Sequence, residues 1–384
     1  MTFSNKHIEY SLKSKTELYE TLILFKILSN KKIVFFGKHL LKIALKIHLP
    51  ILGLIKKTVF KHFCGGENIT ESKKKIDELG SYNIKAILDY SIEGQNDKTS
   101  FNNTYNEILS NLEEAKSNPL IPFCVFKITG IGRLDLLKKA NKKDQLSLIE
   151  KKEFEQINNR LDNICKKASE NKIPILIDAE ESWIQNTIDQ LAEKLMKTYN
   201  IDKVIIYNTI QLYRWDKLKY IKQQHKKAQK HKFKLGFKLV RGAYMEKERE
   251  LAKLEKYTCP IHENKSNCDN DYNEASRYCL ENIQDMALCF GTHNEESTQI
   301  IIELMKKKRI LNNDHRVYFS QLLGMSDNIS FYLGKFKYNV AKYVPYGPVK
   351  EVIPYLIRRA EENSAINGQT NREIIRLREL IKKH

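Results

Sequence analysis

The stretch Tyr343-Val-Pro-Tyr-Gly-Pro-Val-Lys-Glu-Val-Ile-Pro-Tyr-Leu-Ile-Arg-Arg-Ala-Glu-Glu362 joins a short apolar strand to a helix with two adjacent arginines. Gly347-Pro348 marks the helix start, because proline suits the first helical position, where no amide donor is needed. Glu351 falls in the first turn, at the positive end of the helix dipole. Neighbouring helical residues point about 100° apart, so Arg358 and Arg359 diverge and one of them runs along the inner side of the helix. Glu362 offers that arginine an ordinary helical ion pair. Standing just beyond a strand end, the two arginines also suit an anion clamp.

The same strand-then-helix unit recurs upstream. Short apolar runs occur at 84–90, 121–128, 173–178, 203–207, 235–240, 286–291, 316–319 and 339–344, separated by longer charged stretches of helical character. Eight such units in about 300 residues predict a (β/α)8 barrel rather than an open sheet. The predicted organisation is an N-terminal helical, basic region over 1–80 and the barrel over 81–384. Polar groups gather at the C-terminal ends of the runs, where barrel active sites form. These include Asp89 and Ser91, Lys127 and Thr129, Asp178-Ala-Glu-Glu181, Gln211, Lys238, Thr292-His293-Asn294, Gln321 and Tyr343. Singly, each has a plain structural reading: Asp178 as a helix cap, His293 as a satisfied core histidine. Residues 253–272 form a polar insertion able to act as a lid.

The chain has 384 residues, 41% of them hydrophobic, and a net charge of +19. No apolar run approaches the roughly 18 residues of a membrane span. The polar, mixed-charge start predicts no secretion signal, and seven cysteines without a Cys-x-x-Cys pair suit a reducing compartment. Cys259, His262 and Cys268 lack a regular four-ligand zinc spacing, so no metal site is predicted. Charge without a recognition motif does not argue for nucleic acid. Residues 31–63 interleave lysine and histidine with Leu, Ile and Phe at helical spacing. That pattern suits a helix lying on a membrane surface. It equally suits one packed on the main domain with a basic outer face.

At Lys238-Leu-Val-Arg-Gly-Ala-Tyr-Met-Glu-Lys-Glu-Arg249, Gly291-Thr-His-Asn294, Gln321-Leu-Leu-Gly-Met325 and Arg358-Arg359, the chain closely resembles the proline dehydrogenase family. Ile177-Asp-Ala-Glu-Glu181 and Tyr207-Asn-Thr-Ile-Gln211 extend the match over roughly residues 60 to 370, as in stand-alone members. The resemblance implies a distorted barrel holding FAD. It further implies oxidation of L-proline to Δ1-pyrroline-5-carboxylate, the first step of proline catabolism to glutamate, with electrons passed to membrane quinone. The expected setting is cytoplasmic, peripheral on the inner face of a bacterial membrane, with the mitochondrial inner membrane as the alternative.

By the same resemblance, Lys127, Arg358 and Arg359 would clamp the proline carboxylate. Tyr343 would pack on the ring, with Leu322 and Tyr244 closing the apolar side. Asp178 would hold Lys127, or serve as a structural ion-pair partner. Gln211, Lys238, Val240, Gly242, Thr292, His293 and Glu362 would surround the flavin. Some relatives carry arginine at the Lys238 position and tryptophan at Met245, so bidentate geometry and stacking are lost here. No side chain stands out as a general base. Two other readings are a Schiff-base aldolase using Lys127 or Lys238 and a non-catalytic basic scaffold.

Overall fold

Eight parallel strands close into a barrel in chain order. They are β1 (Lys85–Tyr90), β2 (Phe123–Phe126), β3 (Ile175–Ile177), β4 (Ile206–Gln211), β5 (Leu235–Val240), β6 (Met286–Gly291), β7 (Val317–Leu322) and β8 (Val340–Tyr346). The computed structural model describes residues 14–47, 49–92, 97–365 and 367–383. The predicted (β/α)8 barrel is therefore the observed fold. Strands β5 and β6 lie where the apolar runs placed them. Strand β4 lies further along the chain than its run, because Asn208 and Gln211 are strand residues whose side-chain amides donate to acceptors inside the protein, Asp189 and the Glu180 carbonyl.

Period-two alternation sorts the strand residues. Ile87, Phe123, Val125, Leu176, Tyr207, Ala287, Cys289, Ala341 and Tyr343 fill the barrel interior. Their neighbours, such as Leu88, Cys124, Ile177, Ile210, Leu239, Phe290 and Val344, pack outward beneath the helices. Extending that parity to the C-terminal rim sends Asp89, Lys127, Asp178, Gln211, Lys238 and Leu322 inward. A single physical rule thus gathers side chains from six strands at one mouth.

The helices are α1 (Lys15–Leu28), α2 (Lys31–Lys46), α3 (Leu52–Ile55), α4 (Lys61–Phe63), α5 (Ile69–Gly80), α6 (Lys98–Ser117), α7 (Leu134–Lys142) and α8 (Leu148–Asn171). There follow α9 (Ser182–Tyr199), α10 (Lys217–His231), α11 (Met245–Glu255), α12 (Lys265–Glu281), α13 (Glu295–Lys307), α14 (Asp327–Lys335), α15 (Val349–Ala365) and α16 (Asn367–Lys383). A π-helical turn, Lys56–Phe60, bridges α3 and α4. Helix α5 packs on β1 and β8, the place a final wall helix would take in a regular barrel. Helix α15 lies instead against α1, α2, α16 and the π turn. Gly65 and Gly66 lie beside the end of β8, Gly65 donating its amide to the Pro345 carbonyl at 2.8 Å. This is the distortion of the barrel.

The N-terminal helices have two faces. Leu18, Leu22 and Phe25 of α1 pack with Ile374, Leu377 and Leu380 of α16. Phe60 and Phe63 join Val352, Tyr355 and Leu356 of α15, while Lys38 pairs with Glu361 at 2.6 Å. On α2, however, Ile33, Phe36, Leu40, Ile43 and Ile47 are each 48–66% exposed. The region both packs on the main body and presents an apolar stripe. The 253–272 insertion, expected as a lid, is tied down. Ile261 bridges to Arg214, the Trp215 amide donates to the Pro260 carbonyl, and His262 pairs with Asp271 at 2.8 Å. Its second half is α12.

Behind β3 and β4 lies a buried ion pair. Lys217 donates to Asp189 Oδ2 at 2.5 Å, and Gln185 and Asn208 each donate to Asp189 Oδ1 at 2.9 Å. Removing one partner leaves the other charge uncompensated. Asp189→Ala is expected to destabilise the fold by about 3–5 kcal/mol in denaturant unfolding, and Asp189→Ala/Lys217→Met to recover much of that loss. A single-mutant loss below about 1 kcal/mol would contradict the assignment.

Candidate functional site

Lys238 lies at the centre of the barrel mouth. It is 5% exposed and donates both to Asp178 Oδ1 and to the Tyr343 hydroxyl, the latter at 2.5 Å. Its ammonium stands 4.7 Å from the Tyr343 ring centroid. Lys127 reaches the other Asp178 oxygen at 3.9 Å. The sequence reading paired Asp178 with Lys127, but Lys238 is the closer partner. Burial, reinforced by the Asp178 charge, keeps the Tyr343 phenol well above its ordinary range, so it remains protonated. A single carboxylate therefore serves two lysines.

Helix α15 completes the mouth. Tyr244, pushed up chiefly by burial, feels the charges of Lys127, Glu180, Glu181 and Arg358. His293, on the other side, feels Lys342, Arg359 and Arg241. The two arginines thus face different walls of the mouth, as their 100° divergence requires. Arg359 donates to Glu362 at 2.6 Å and stands 5.1 Å over the Tyr355 ring. Glu362 is therefore first an ion-pair partner, its carboxyl pushed up by burial against the pull of both arginines. Leu322 packs between the interior cluster of Tyr343 and the Met325–Tyr355 cluster beneath α15.

Several rim groups suit a polar cofactor. Gln211 donates to the Glu180 carbonyl at 2.9 Å, yet its buried Oε1 has no partner, nor do Thr209 Oγ1 and Arg359 Nε. Buried polar atoms seldom go unpaired. Val240 stands beside Gln211 in register. Gly242 takes φ +135°, where a Cβ would lie 2.5 Å from the Tyr213 ring. Thr292 Oγ1 accepts from Arg241 at 2.8 Å. Burial, then Lys342, Arg359 and Arg241, pushes His293 down to about 3, so its imidazole is neutral. The residues present fit a bulky polar group with hydrogen-bonding edges.

Arg241 and Glu180 were quoted in motifs without a role. Arg241 ties Asp269 and Ser297 to Thr292 and stacks over Tyr272 at 4.4 Å. Glu180 accepts from the Thr129 amide at 3.1 Å and from its hydroxyl, so it fixes the turn after Lys127. A charged residue interrupting an otherwise apolar strand end was the available signal for Arg241; Glu180 stood within the polar Asp178-Ala-Glu-Glu181 strand end, but nothing there separated its role from those of Asp178 and Glu181. Burial, partly offset by the Thr129 bonds and Lys127, pushes Glu180 up to about 7. A carboxyl that holds its proton more tightly when folded contributes stability below its ordinary value of 4.5 and loses it as pH rises through about 7. Relative to the permanently neutral Glu180→Gln, unfolding free energy of the unaltered protein should fall by roughly 3 kcal/mol between those pH values. Parallel curves would contradict this.

The family described as proline dehydrogenase matches residues 72–372. "Proline dehydrogenase 1, mitochondrial" of Arabidopsis thaliana is 31% identical, with 85% of this chain and 74% of the relative covered. The protein of the same name in Dictyostelium discoideum is 32% identical, with 97% of this chain and 73% of the relative covered. Among solved structures, proline utilization A of Bdellovibrio bacteriovorus, inactivated by N-propargylglycine, superposes with a TM-score of 0.73 at 20% identity. That match covers 94% of this chain and 38% of the larger one, and its likeness is one of fold. With a family match across most of its barrel and relatives above 30% identity over most of their length, this chain belongs to the proline dehydrogenase family of oxidoreductases.

Proposed function

We propose that this proline dehydrogenase uses FAD to oxidise L-proline to Δ1-pyrroline-5-carboxylate and delivers the electrons to a membrane quinone, opening the catabolism of proline to glutamate. The observation that carries the substrate reading is the cation set of Lys127, Lys238, Arg358 and Arg359, which outnumbers the Asp178 and Glu362 carboxylates paired with it. Arg358, Arg359 and Lys127 hold the proline carboxylate by charge-assisted bonds. Tyr343, Leu322 and Tyr244 enclose the ring, and Asp178 keeps Lys238 and Lys127 in place. Fixed orientation supplies much of the rate.

Gln211, Lys238, Val240, Gly242, Thr292 and His293 would hold the FAD, together with Glu362. When bound, FAD supplies the two-electron acceptor for the hydride leaving the ring carbon next to nitrogen. Lys238 is the cation suited to negative charge developing there. Neutral His293 offers one ring nitrogen as donor and one as acceptor. The substrate binds as the neutral amine, its proton having passed to solvent.

Residues 81–384 form the catalytic unit together with α5, which completes its wall, and the part of region 1–80 that precedes α5 serves as the docking element. No described helix is long and apolar enough to cross a membrane. Tyr19, Ile23 and Ile27 of α1 and Leu54 of α3 are exposed as well, as are Lys31, Lys32, Lys46 and Lys57. Apolar side chains flanked by lysines suit an anionic bilayer surface. The relatives' names, which say mitochondrial, favour the mitochondrial alternative over the inner face of a bacterial membrane.

The test pairs vesicle sedimentation with turnover. The unaltered protein should bind anionic vesicles and reduce quinone held in them, whereas Phe36→Asp/Leu40→Asp should lose both activities and keep turnover with a water-soluble dye. Undiminished vesicle binding by the variant would overturn the docking surface. Absence of proline turnover with any acceptor would overturn the substrate assignment.

A further inference from the structure

Lys342 stands next to Tyr343 on β8, yet none of the roles above uses it. Its side chain is fully buried and faces outward, with the parity of Val340 and Val344. An ammonium in such a place is costly unless every N–H finds an acceptor. Its Nζ donates to the Leu322 carbonyl at 3.2 Å, the Met325 carbonyl at 2.6 Å and Asp327 Oδ1 at 2.7 Å. All three acceptors lie in one turn, between β7 and α14.

That turn is tight and closely packed. Gly324 and Ser326 both adopt left-handed conformations, at φ +75° and +52°. A Cβ on Gly324 would lie 2.7 Å from the His62 carbonyl. His293 Nδ1 sits 3.0 Å from Ser326 Oγ. Leu322 opens the turn and is in register with Tyr343 on the neighbouring strand. Two consecutive residues of β8 therefore act on opposite faces of the sheet. Tyr343 points into the mouth, and Lys342 anchors the turn that carries Leu322.

We infer that Lys342 is a specificity-determining positioning residue: by gathering the Leu322 and Met325 carbonyls and Asp327, it fixes Leu322 as the wall that selects a five-membered ring over a six-membered one. This rests on the reading that Leu322 and Tyr343 enclose the substrate ring. Without the anchor, the turn relaxes outward, Leu322 retreats from Tyr343, and the added methylene of a six-membered imino acid fits.

The experiment compares kcat/KM for L-proline and for L-pipecolate, its six-membered homologue, in the flavin-loaded enzyme. Lys342→Met should lower the proline-to-pipecolate ratio about tenfold, the scale on which apolar pockets discriminate one methylene. The change should fall chiefly in KM. A reduced activity on both substrates with an unchanged ratio would overturn the inference, since lost stability alone does not alter selectivity. Asp327→Asn keeps an oxygen acceptor for Lys342 while removing the carboxylate charge, and is the milder variant. It should shift the ratio in the same direction by a smaller factor, and an unchanged ratio there overturns the inference if Lys342→Met does not fold. Leu322→Val tests the underlying reading: an unchanged ratio in that variant would remove the pocket assignment itself.

Discussion

Asp178 sits where three other polar groups need it, and the chemistry of the mouth follows from that. It accepts from Lys238, lies within ion-pair distance of Lys127, and adds to the burial that holds the Tyr343 phenol, which Lys238 also touches, above its ordinary range. A buried lysine without such a partner would lose its proton or be expelled. Among Lys127, Lys238, Arg358 and Arg359, the cations outnumber the Asp178 and Glu362 carboxylates paired with them. An anionic substrate is the natural complement, and a carboxylate reaching Lys127 and Arg358 would restore the balance. The same constraint explains why the rim is not simply apolar: an entirely apolar rim would be more stable but could not orient the substrate.

The displaced helix is the second constraint. A regular barrel would keep α15 in its wall, leaving Arg358 and Arg359 far from the mouth. Here α5 fills the gap beside β1 and β8, and α15 brings Arg358 within electrostatic reach of Tyr244 and Arg359 within reach of His293. Helix α15 then needs support on its other side, and the N-terminal helices provide it through Phe60, Phe63 and the Lys38–Glu361 pair. The segment carrying the exposed apolar stripe therefore also braces the helix that carries the clamp.

Much of this was legible in the sequence because it depends on period and on strand ends. Alternating strand–helix units gave the barrel, and parity alone sends Lys127, Asp178, Lys238 and Tyr343 to one place. The hidden features were those whose partners come from distant segments. Lys342 looks like an interruption of an apolar strand until the Leu322 and Met325 carbonyls are in place around it. Strand β4 was read as ending before Asn208, since a polar pair usually closes a strand; Asp189, 19 residues away on α9, is what lets it continue. The 253–272 insertion looked free because most of its ties to Tyr213, Arg214 and Trp215 are main-chain bonds, and the Trp215 indole that also donates to the Cys259 carbonyl lies far away in the chain. The pairing of Asp178 with Lys238 rather than Lys127 was likewise a matter of distance.

The most direct measurement is an anaerobic visible spectrum of the FAD-loaded protein during titration with L-proline. The account predicts that the flavin absorbance bleaches as proline is added and returns when a soluble quinone analogue follows. A protein that binds FAD but keeps its colour with saturating proline would contradict the substrate assignment. One that cannot hold FAD would contradict the reading of the rim.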